Sequence, residues 1–454
     1  MSGKNLLVVT YHFPPIATAG VYRIVGLIKY LQAKGWRVTV LTVDRSLYEP
    51  TDASTLELVP DGVEVIRTPA PEPARRIESL ARRRRKATTG SGRVSPGQEG
   101  GDGTSEAVAA SWRLRALKIA KAPLRWIYQI FCFPDMQVGW LPMVAWHTAR
   151  FVASHPGTVV FSSTPPHSTQ FGVRLARTFR RFRWIADFRD PWTAPVRRTK
   201  GRFDLSLQRA MERSVLGRCD HVIANTPGNR DALLAAFPGL GESRVSVVTN
   251  AFDDGDPAAT APDATAVLEC DIAYFGELYP DMLDVYLEAA AELIRRGKRP
   301  PRLHIFGMVG DDEIASAHAA GLGDRIVFQG TVPYARSISL MRASRSLLLL
   351  LPDMPRWATC VPSKLYAYLF AGPPILAITP AGDAARIVTE TGRGVAVSPD
   401  DPGVVADAID RFVSALERGE SPAAGSDARR LEPYRMETIA GRIDGILGES
   451  GERR

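Results

Sequence analysis

Residues 361–378, VPSKLYAYLFAGPPILAI, read as a helix start, a helix, a glycine stop and a strand. Ser363 is placed to cap a helix beginning at Lys364, and Leu365, Leu369 and Phe370 supply an apolar stripe at helical spacing. Gly372-Pro373-Pro374 ends that helix before the apolar run Ile375 to Ile378. Free N–H groups and the positive dipole end at such a helix start favour phosphate, and Lys364 adds a full charge, so the stretch suits a diphosphate leaving group. The same residues also describe an ordinary capped surface helix.

Working outward, the alternation of apolar strand and amphipathic helix recurs along the chain, which predicts α/β architecture with parallel sheets. Near the start, an apolar strand over 6–10 leads through Tyr11-His12-Phe13-Pro14-Pro15 and Thr18-Ala19-Gly20 into a helix over 21–34. Val21, Val25, Ile28 and Leu31 share one face of that helix, Gly35 closes it, and 36–43 is the next strand. This βαβ unit has a glycine-bearing loop where a phosphate can meet a helix N-terminus. Arg23, in the first turn, is placed to reach an anion or to stand in solvent.

Two polar constellations follow at strand ends. A strand over 159–163 ends in Thr164-Pro165-Pro166-His167-Ser168 before a helix over 169–179, and a strand over 184–186 ends in Asp187-Phe188-Arg189-Asp190-Pro191-Trp192. Carboxyl ends of neighbouring parallel strands are where open α/β sheets build ligand sites. The plainer reading has His167 capping a helix and Asp187 pairing locally with Arg189. A strand over 221–224, a capped turn at Asn225-Thr226-Pro227, a helix over 228–237 and a strand over 245–249 complete the first series. Residues 253–264, rich in Asp, Pro and Ala, read as a linker. A second βα series then opens with Asp271-Ile272-Ala273-Tyr274-Phe275-Gly276-Glu277, continues through strands over 302–306, 325–328 and 346–351, and ends in a helix over 436–447.

Composition sets the outer bounds. At 454 residues the chain suits two domains of roughly 200 residues each, and 45% hydrophobic with 23% charged residues is ordinary globular usage. The four cysteines, at 132, 219, 270 and 360, form no C-x-x-C pair, which fits a reducing cytosol. The first ten residues carry too short an apolar run for a signal peptide, and no stretch is long and apolar enough to span a bilayer. The net charge of +8 is concentrated: residues 75–125 hold 13 Lys or Arg against four Asp or Glu. Within them, 82–86 is a cationic run and 87–104 is rich in Gly, Ser and Thr, so 82–108 is predicted to be a disordered insertion. Nothing beside the cationic run resembles a nucleic-acid-binding module, and no nucleic-acid partner is expected. Residues 112–133 interleave Trp112, Leu117, Trp126 and Tyr128 with Arg113, Arg115, Lys118 and Arg125. That pattern suits either an anionic membrane surface or a core-packed helix whose cations snorkel.

SKLYAYLFAGPP, STPPHS, DFRDPW, FPDMQVGWLP and the opening strand and glycine loop occur in the order that resembles family 4 glycosyltransferases, in particular those acting in surface-glycan assembly. The resemblance implies a GT-B fold, two Rossmann-like domains facing an interdomain cleft. Expected boundaries are an acceptor domain over 1–252, a linker over 253–268, a nucleotide-sugar domain over 269–430 and a C-terminal helix over 431–454 crossing back. It implies a cytoplasmic enzyme, peripheral on the inner face of the cell membrane where the acceptor is lipid-linked. A sugar would pass from a nucleotide-sugar to a glycan, lipid-linked or natural-product acceptor, with retention, no metal and no cofactor, the nucleotide-sugar being a substrate. By the same resemblance, His167, Arg189 and Asp190 are the catalytic candidates. Gly20, Arg23, Gly276, Glu277, Arg356, Ser363 and Lys364 are the donor and phosphate contacts, and His12, Asp187 and Trp192 lie on the acceptor side. The chain departs from the family where a ribose-binding glutamate is usual, at Ala367, where a second glutamate is usual, at Thr359, and where a basic pair is usual, at Tyr279-Pro280-Asp281. These departures define the alternatives: a binding or scaffold protein on the same fold with a degenerate donor site, or epimerisation or hydrolysis of a nucleotide-sugar.

Overall fold

The computed structural model describes residues 4–44, 51–71, 133–193, 202–255, 270–279, 281–423, 425 and 427–449. The 82–108 insertion, the basic aromatic residues 112–132 and most of the 253–264 linker lie outside them.

The first series runs β1 (Lys4–Thr10), α1 (Ala19–Ala33), β2 (Trp36–Val43), β3 (Glu64–Thr68), α2 (Leu141–Ser154), β4 (Val159–Thr164), α3 (His167–Phe179), β5 (Arg183–Phe188), α4 (Arg202–Leu216), β6 (His221–Ala224), α5 (Pro227–Ala236) and β7 (Val245–Val247). The second runs β8 (Ile272–Phe275), α6 (Asp284–Arg295), β9 (Leu303–Phe306), α7 (Asp311–Ala319), β10 (Ile326–Gly330), α8 (Tyr334–Ala343), β11 (Leu347–Leu350), α9 (Pro355–Ala358) and α10 (Ser363–Ala371). It continues through β12 (Ile375–Ile378), α11 (Asp383–Glu390), β13 (Gly394–Val397), α12 (Pro402–Glu417), α13 (Ala428–Leu431) and α14 (Met436–Gly448). The strands form a seven-stranded sheet of order β3-β2-β1-β4-β5-β6-β7 and a six-stranded sheet of order β10-β9-β8-β11-β12-β13. This is the pair of Rossmann-like sheets of a GT-B fold. Four of the six strands of the second sheet, among them β11 with the sequence LLLL, are buried along their whole length, as parallel strands covered by helices on both faces must be.

By packing, the chain divides into two compact units, residues 1–18 with 38–184, and residues 19–37 with 185–454. In the first unit β1 pairs with β4 from Leu6↔Val159 to Thr10↔Ser163, and β2 pairs with β3 from Thr39↔Glu64. Trp140 is wholly buried, meets Tyr11 edge-on at 5.5 Å, and donates from Nε1 to Thr68 at 2.8 Å. His167 does not cap α3; it is the first helical residue, and the preceding Pro166 has no side chain to offer. The cap comes from the FPDMQVGW stretch, where the buried Asp135 carboxylate accepts the amide N–H of Ser168 at 2.7 Å. Burial raises the Asp135 carboxyl above its ordinary range, and amide bonds from Ser168, Gln137 and His167 act the other way.

In the second unit α10 buries Leu365, Tyr366, Tyr368 and Leu369. Each large side chain removed from water contributes roughly 1.5–3 kcal/mol. The Tyr368 hydroxyl accepts the amide N–H of Phe275 at 2.9 Å and donates to the Leu348 carbonyl at 3.2 Å, which ties the helix to both β8 and β11. Gly372 ends α10 at φ 107°, a conformation that side chains rarely adopt. The terminal helix α14 packs on α1: a Cβ at Gly26 would stand 2.9 Å from Met436 Cε, and Trp36 Nε1 donates to Asp444 at 2.8 Å.

Candidate functional site

The start of α10 differs from expectation in one respect. Ser363 is the first residue of the helix rather than its cap, and Pro362 precedes it with no side-chain hydrogen bond. The amide groups of that first turn are therefore not capped by Ser363, and Lys364 stands beside them. Its Nζ lies 3.9 Å from the ring centroid of Tyr274 and donates to the Tyr274 hydroxyl, which donates in turn to the Glu277 carbonyl at 2.9 Å. Burial pulls the ammonium down to about 7, with the field of Glu277 opposing. Gly276 makes room for it: at φ 113°, a Cβ there would come within 2.9 Å of Nζ. Gly276 is also packed from behind, because a Cβ at Gly307 would stand 2.0 Å from its carbonyl oxygen. Glycine at 276 is thus required by backbone angle, and glycine at 307 by space.

A second cationic group sits at the start of α1. Arg189, just past the end of β5, is 9% exposed and lies across Gly20, where an added Cβ would be 2.0 Å from Nη1. The expected close approach to Gly20 is therefore made by a guanidinium. Burial lowers the Arg189 proton affinity, and the carboxylates of Asp187 and Asp190 counter it. Asp187 is wholly buried and pairs with Arg23 at 3.1 Å, and its charge also acts on Arg189. Arg23 is 3% exposed and also donates to the Val248 carbonyl at 3.1 Å, to Asn250 Oδ1 at 3.3 Å and to the Thr249 carbonyl. It is not a solvated arginine: the anion it reaches is a buried carboxylate, and it fixes the end of β5 against the residues after β7. Gly20→Ala should displace the flexible end of Arg189 while leaving the fold within about 1 kcal/mol of the parent. The measurement is a melting curve beside a turnover assay, with turnover expected to fall more than about tenfold.

The structure brings Gly20, Arg23, Asp187, Arg189 and Asp190 together, and Gly276, Glu277 and Lys364 together. A link between the two groups is Tyr279, 48% exposed, whose hydroxyl is raised by burial first and then by Glu277, Cys360 and Asp190. Trp192 is buried, and the next residue, Thr193, donates to Glu212 of α4. Burial pushes the Glu212 carboxyl up to about 7. Arg356 falls in α9, and its side chain lies outside the described residues. His12 and His167 belong to the first unit, where His12 Nδ1 is 3.0 Å from Thr18 Oγ1. Thr359 offers only its carbonyl, to Thr226 Oγ1 at 2.9 Å, and Asp383 accepts the Gly228 amide at 2.9 Å. Sequence reasoning assigned no site role to Tyr274, Glu212 and Asp383, and named Tyr279 only as a departure where a basic pair is usual. Of the first three, Tyr274 left a signal, a phenol two residues before the loop glycine in an otherwise apolar strand.

Two sheets of parallel strands, with Lys364 standing beside the first turn of α10, form the scaffold of the site. Comparison with known proteins gives the class: the chain belongs to the glycosyl transferase 4-like family, which matches residues 19–251, and residues 269–415 match glycosyl transferases group 1. It is a glycosyltransferase. No curated protein sequence matches the chain. Among solved structures, a sucrose-phosphate synthase from Thermosynechococcus elongatus is 13% identical at TM-score 0.64, covering 98% of each chain. A glycosyltransferase from Rickettsia africae is 10% identical at TM-score 0.62, covering 100% of each chain. A point mutant of S. aureus TarM, in complex with fondaparinux, α-GlcNAc-glycerol and UDP, is 9% identical at TM-score 0.57, covering 98% of this chain and 100% of its own. At these identities the likeness speaks for the fold alone. Among the described residues no helix is long and apolar enough to cross a membrane.

Proposed function

We propose that the protein moves a sugar from a nucleoside-diphosphate sugar to a glycan, lipid-linked or natural-product hydroxyl, with retention of configuration and without a metal or cofactor. The observation that carries this reading is the Lys364 ammonium, half-buried against the Tyr274 ring beside the first turn of α10. A cation held there near its half-neutral point is stabilised by an arriving diphosphate, and helix dipole and ammonium together stabilise the charge that develops on the leaving group. The bond from the anomeric carbon to the diphosphate oxygen breaks as the acceptor oxygen adds on the same face, and the acceptor proton passes to the departing phosphate. Arg189 and Asp190 are the residues proposed to hold the sugar and the acceptor, with Trp192 at the acceptor side. For His12 and His167 the reading stays the one the family resemblance implies. An acceptor embedded in the inner face of an anionic membrane would give the basic residues 82–125 a surface to meet.

The test is a thermal-shift and calorimetric screen against UDP, GDP, ADP and dTDP and their sugars, repeated with Lys364→Ala and with EDTA. Micromolar binding of one nucleotide, lost in the variant and kept in EDTA, supports the reading. Absence of binding by any nucleotide at millimolar concentration ends it. The pH dependence is a separate prediction. Because the free enzyme's Lys364 sits at about 7 and the bound diphosphate favours the charged form, affinity should fall above pH 7, by up to about tenfold per pH unit. Calorimetry near pH 8 in buffers of different ionisation enthalpy should register uptake of about one proton per nucleotide bound. Equal affinities at pH 6.5 and 8.5 would remove Lys364 from the phosphate contacts.

A further inference from the structure

At the amino ends of four neighbouring strands, arginines gather around one carboxylate. Asp271 stands immediately before β8; its carboxylate accepts the amide N–H of Arg302 at 2.8 Å and lies 3.8 Å from Arg325 Nη2 and 3.6 Å from Arg345 Nη1. Arg302 directly precedes β9, Arg325 directly precedes β10, and Arg345 stands two residues before β11. The order β10-β9-β8-β11 sets these positions side by side, about 5 Å apart per strand. Arg299 adds a fourth guanidinium, and its field is among those that lower the proton affinity of Arg325. Arg325 is held in place by the Pro300 carbonyl, which accepts from Nε at 2.9 Å and from Nη2 at 2.5 Å.

The surplus of positive charge is local and specific. On the same stretch Arg295, Arg296 and Lys298 are neutralised by Glu292, Asp407 and Asp410. Among the described residues, neither Arg299 nor the Arg302 guanidinium has a carboxylate partner. Beneath the cluster the Tyr286 hydroxyl is buried without a hydrogen-bond partner, within the fields of Arg325 and Asp271. Unpaired like charges this close raise the free energy of the empty protein, and a bound anion relieves it.

We propose that this foot of the second sheet is a binding site for a phosphate-bearing anion, gripped by Arg299, Arg302, Arg325 and Arg345. It is distinct from the candidate donor site, because β8 places Asp271 at one end and Gly276 with Lys364 at the other. The test is calorimetric titration of the full chain carrying Lys364→Ala with inorganic pyrophosphate, which leaves the foot of the sheet as the phosphate site under study. Saturable binding should weaken about tenfold or more in Arg302→Gln with Arg345→Gln, and tighten severalfold in Asp271→Asn, where the competing carboxylate is gone. Parallel sedimentation with phosphatidylglycerol vesicles identifies the source. Arginine-dependent vesicle binding without pyrophosphate binding assigns the phosphate to a lipid headgroup, and pyrophosphate binding alone assigns it to a soluble ligand. If neither probe binds, or binding ignores both sets of substitutions, the site does not exist.

Discussion

Lys364→Met should make the ligand-free protein more stable and weaken nucleotide binding in the same stroke. The lysine sits against an aromatic ring in surroundings that pull its ammonium to about 7, so at neutral pH the folded state gives up part of the charge the unfolded chain keeps. The sign follows: a cation whose affinity for its proton is lowered by folding destabilises the fold fully below about pH 7. That penalty fades as pH rises toward the ordinary lysine range near 10.5. Methionine keeps the stem and removes the charge. After discounting for residual screening, a gain on the order of 2 kcal/mol at pH 7 is expected, shrinking toward zero near pH 10. Nucleotide affinity should fall roughly 30- to 150-fold, the worth of a charge-assisted phosphate contact of about 2–3 kcal/mol. Denaturant melts at two pH values and one binding isotherm check both halves. A variant less stable than the parent would mean that the Tyr274 contact outweighs the desolvation.

Arg23→Ala should destabilise the protein by about 3–5 kcal/mol, among the largest single-site losses available in this chain. Its guanidinium is the ion partner of a wholly buried Asp187, and it satisfies carbonyls at Val248 and Thr249 besides. Removing it takes a full positive charge from a wholly buried carboxylate and a donor from two carbonyls. Asp187→Asn in the same background should recover part of the loss, because an amide buried alone is less unfavourable than a charge. A double-mutant cycle by chemical denaturation measures this. Additive losses in the cycle would show that the two groups do not depend on each other.

The fold was legible because its signal is repetitive. Strand after strand of buried apolar residues, each followed by an amphipathic helix and a glycine, places elements to within a few residues, as the runs at 36–43 and 375–378 did at both ends. Caps were less legible. Ser363 and His167 each sit one position inside the helix they were expected to cap, since a proline carrying no donor or acceptor side chain took the boundary, and at α3 the cap arrived from Asp135, 33 residues away in sequence. Ion pairing was least legible, because it is decided by topology. Asp187 has an arginine two residues on and also pairs with one 164 residues away, a partner that no local spacing announces.

The hydroxyl of Tyr368 carries a final implication. One oxygen holds the amide of Phe275 and the carbonyl of Leu348, so α10 cannot tilt or slide without opening two strands at once. The lysine-bearing helix is therefore a fixed post, and under the proposed function adaptation to a different donor is expected in the segment after β8. That segment runs through Glu277 and Tyr279 to Asp281, a non-glycine residue at φ 69°. Selection for new sugars would then act on a short, irregular span of chain and leave the post untouched. Libraries randomised at 277–281 should accordingly yield altered donor choice more often than libraries randomised within 364–371.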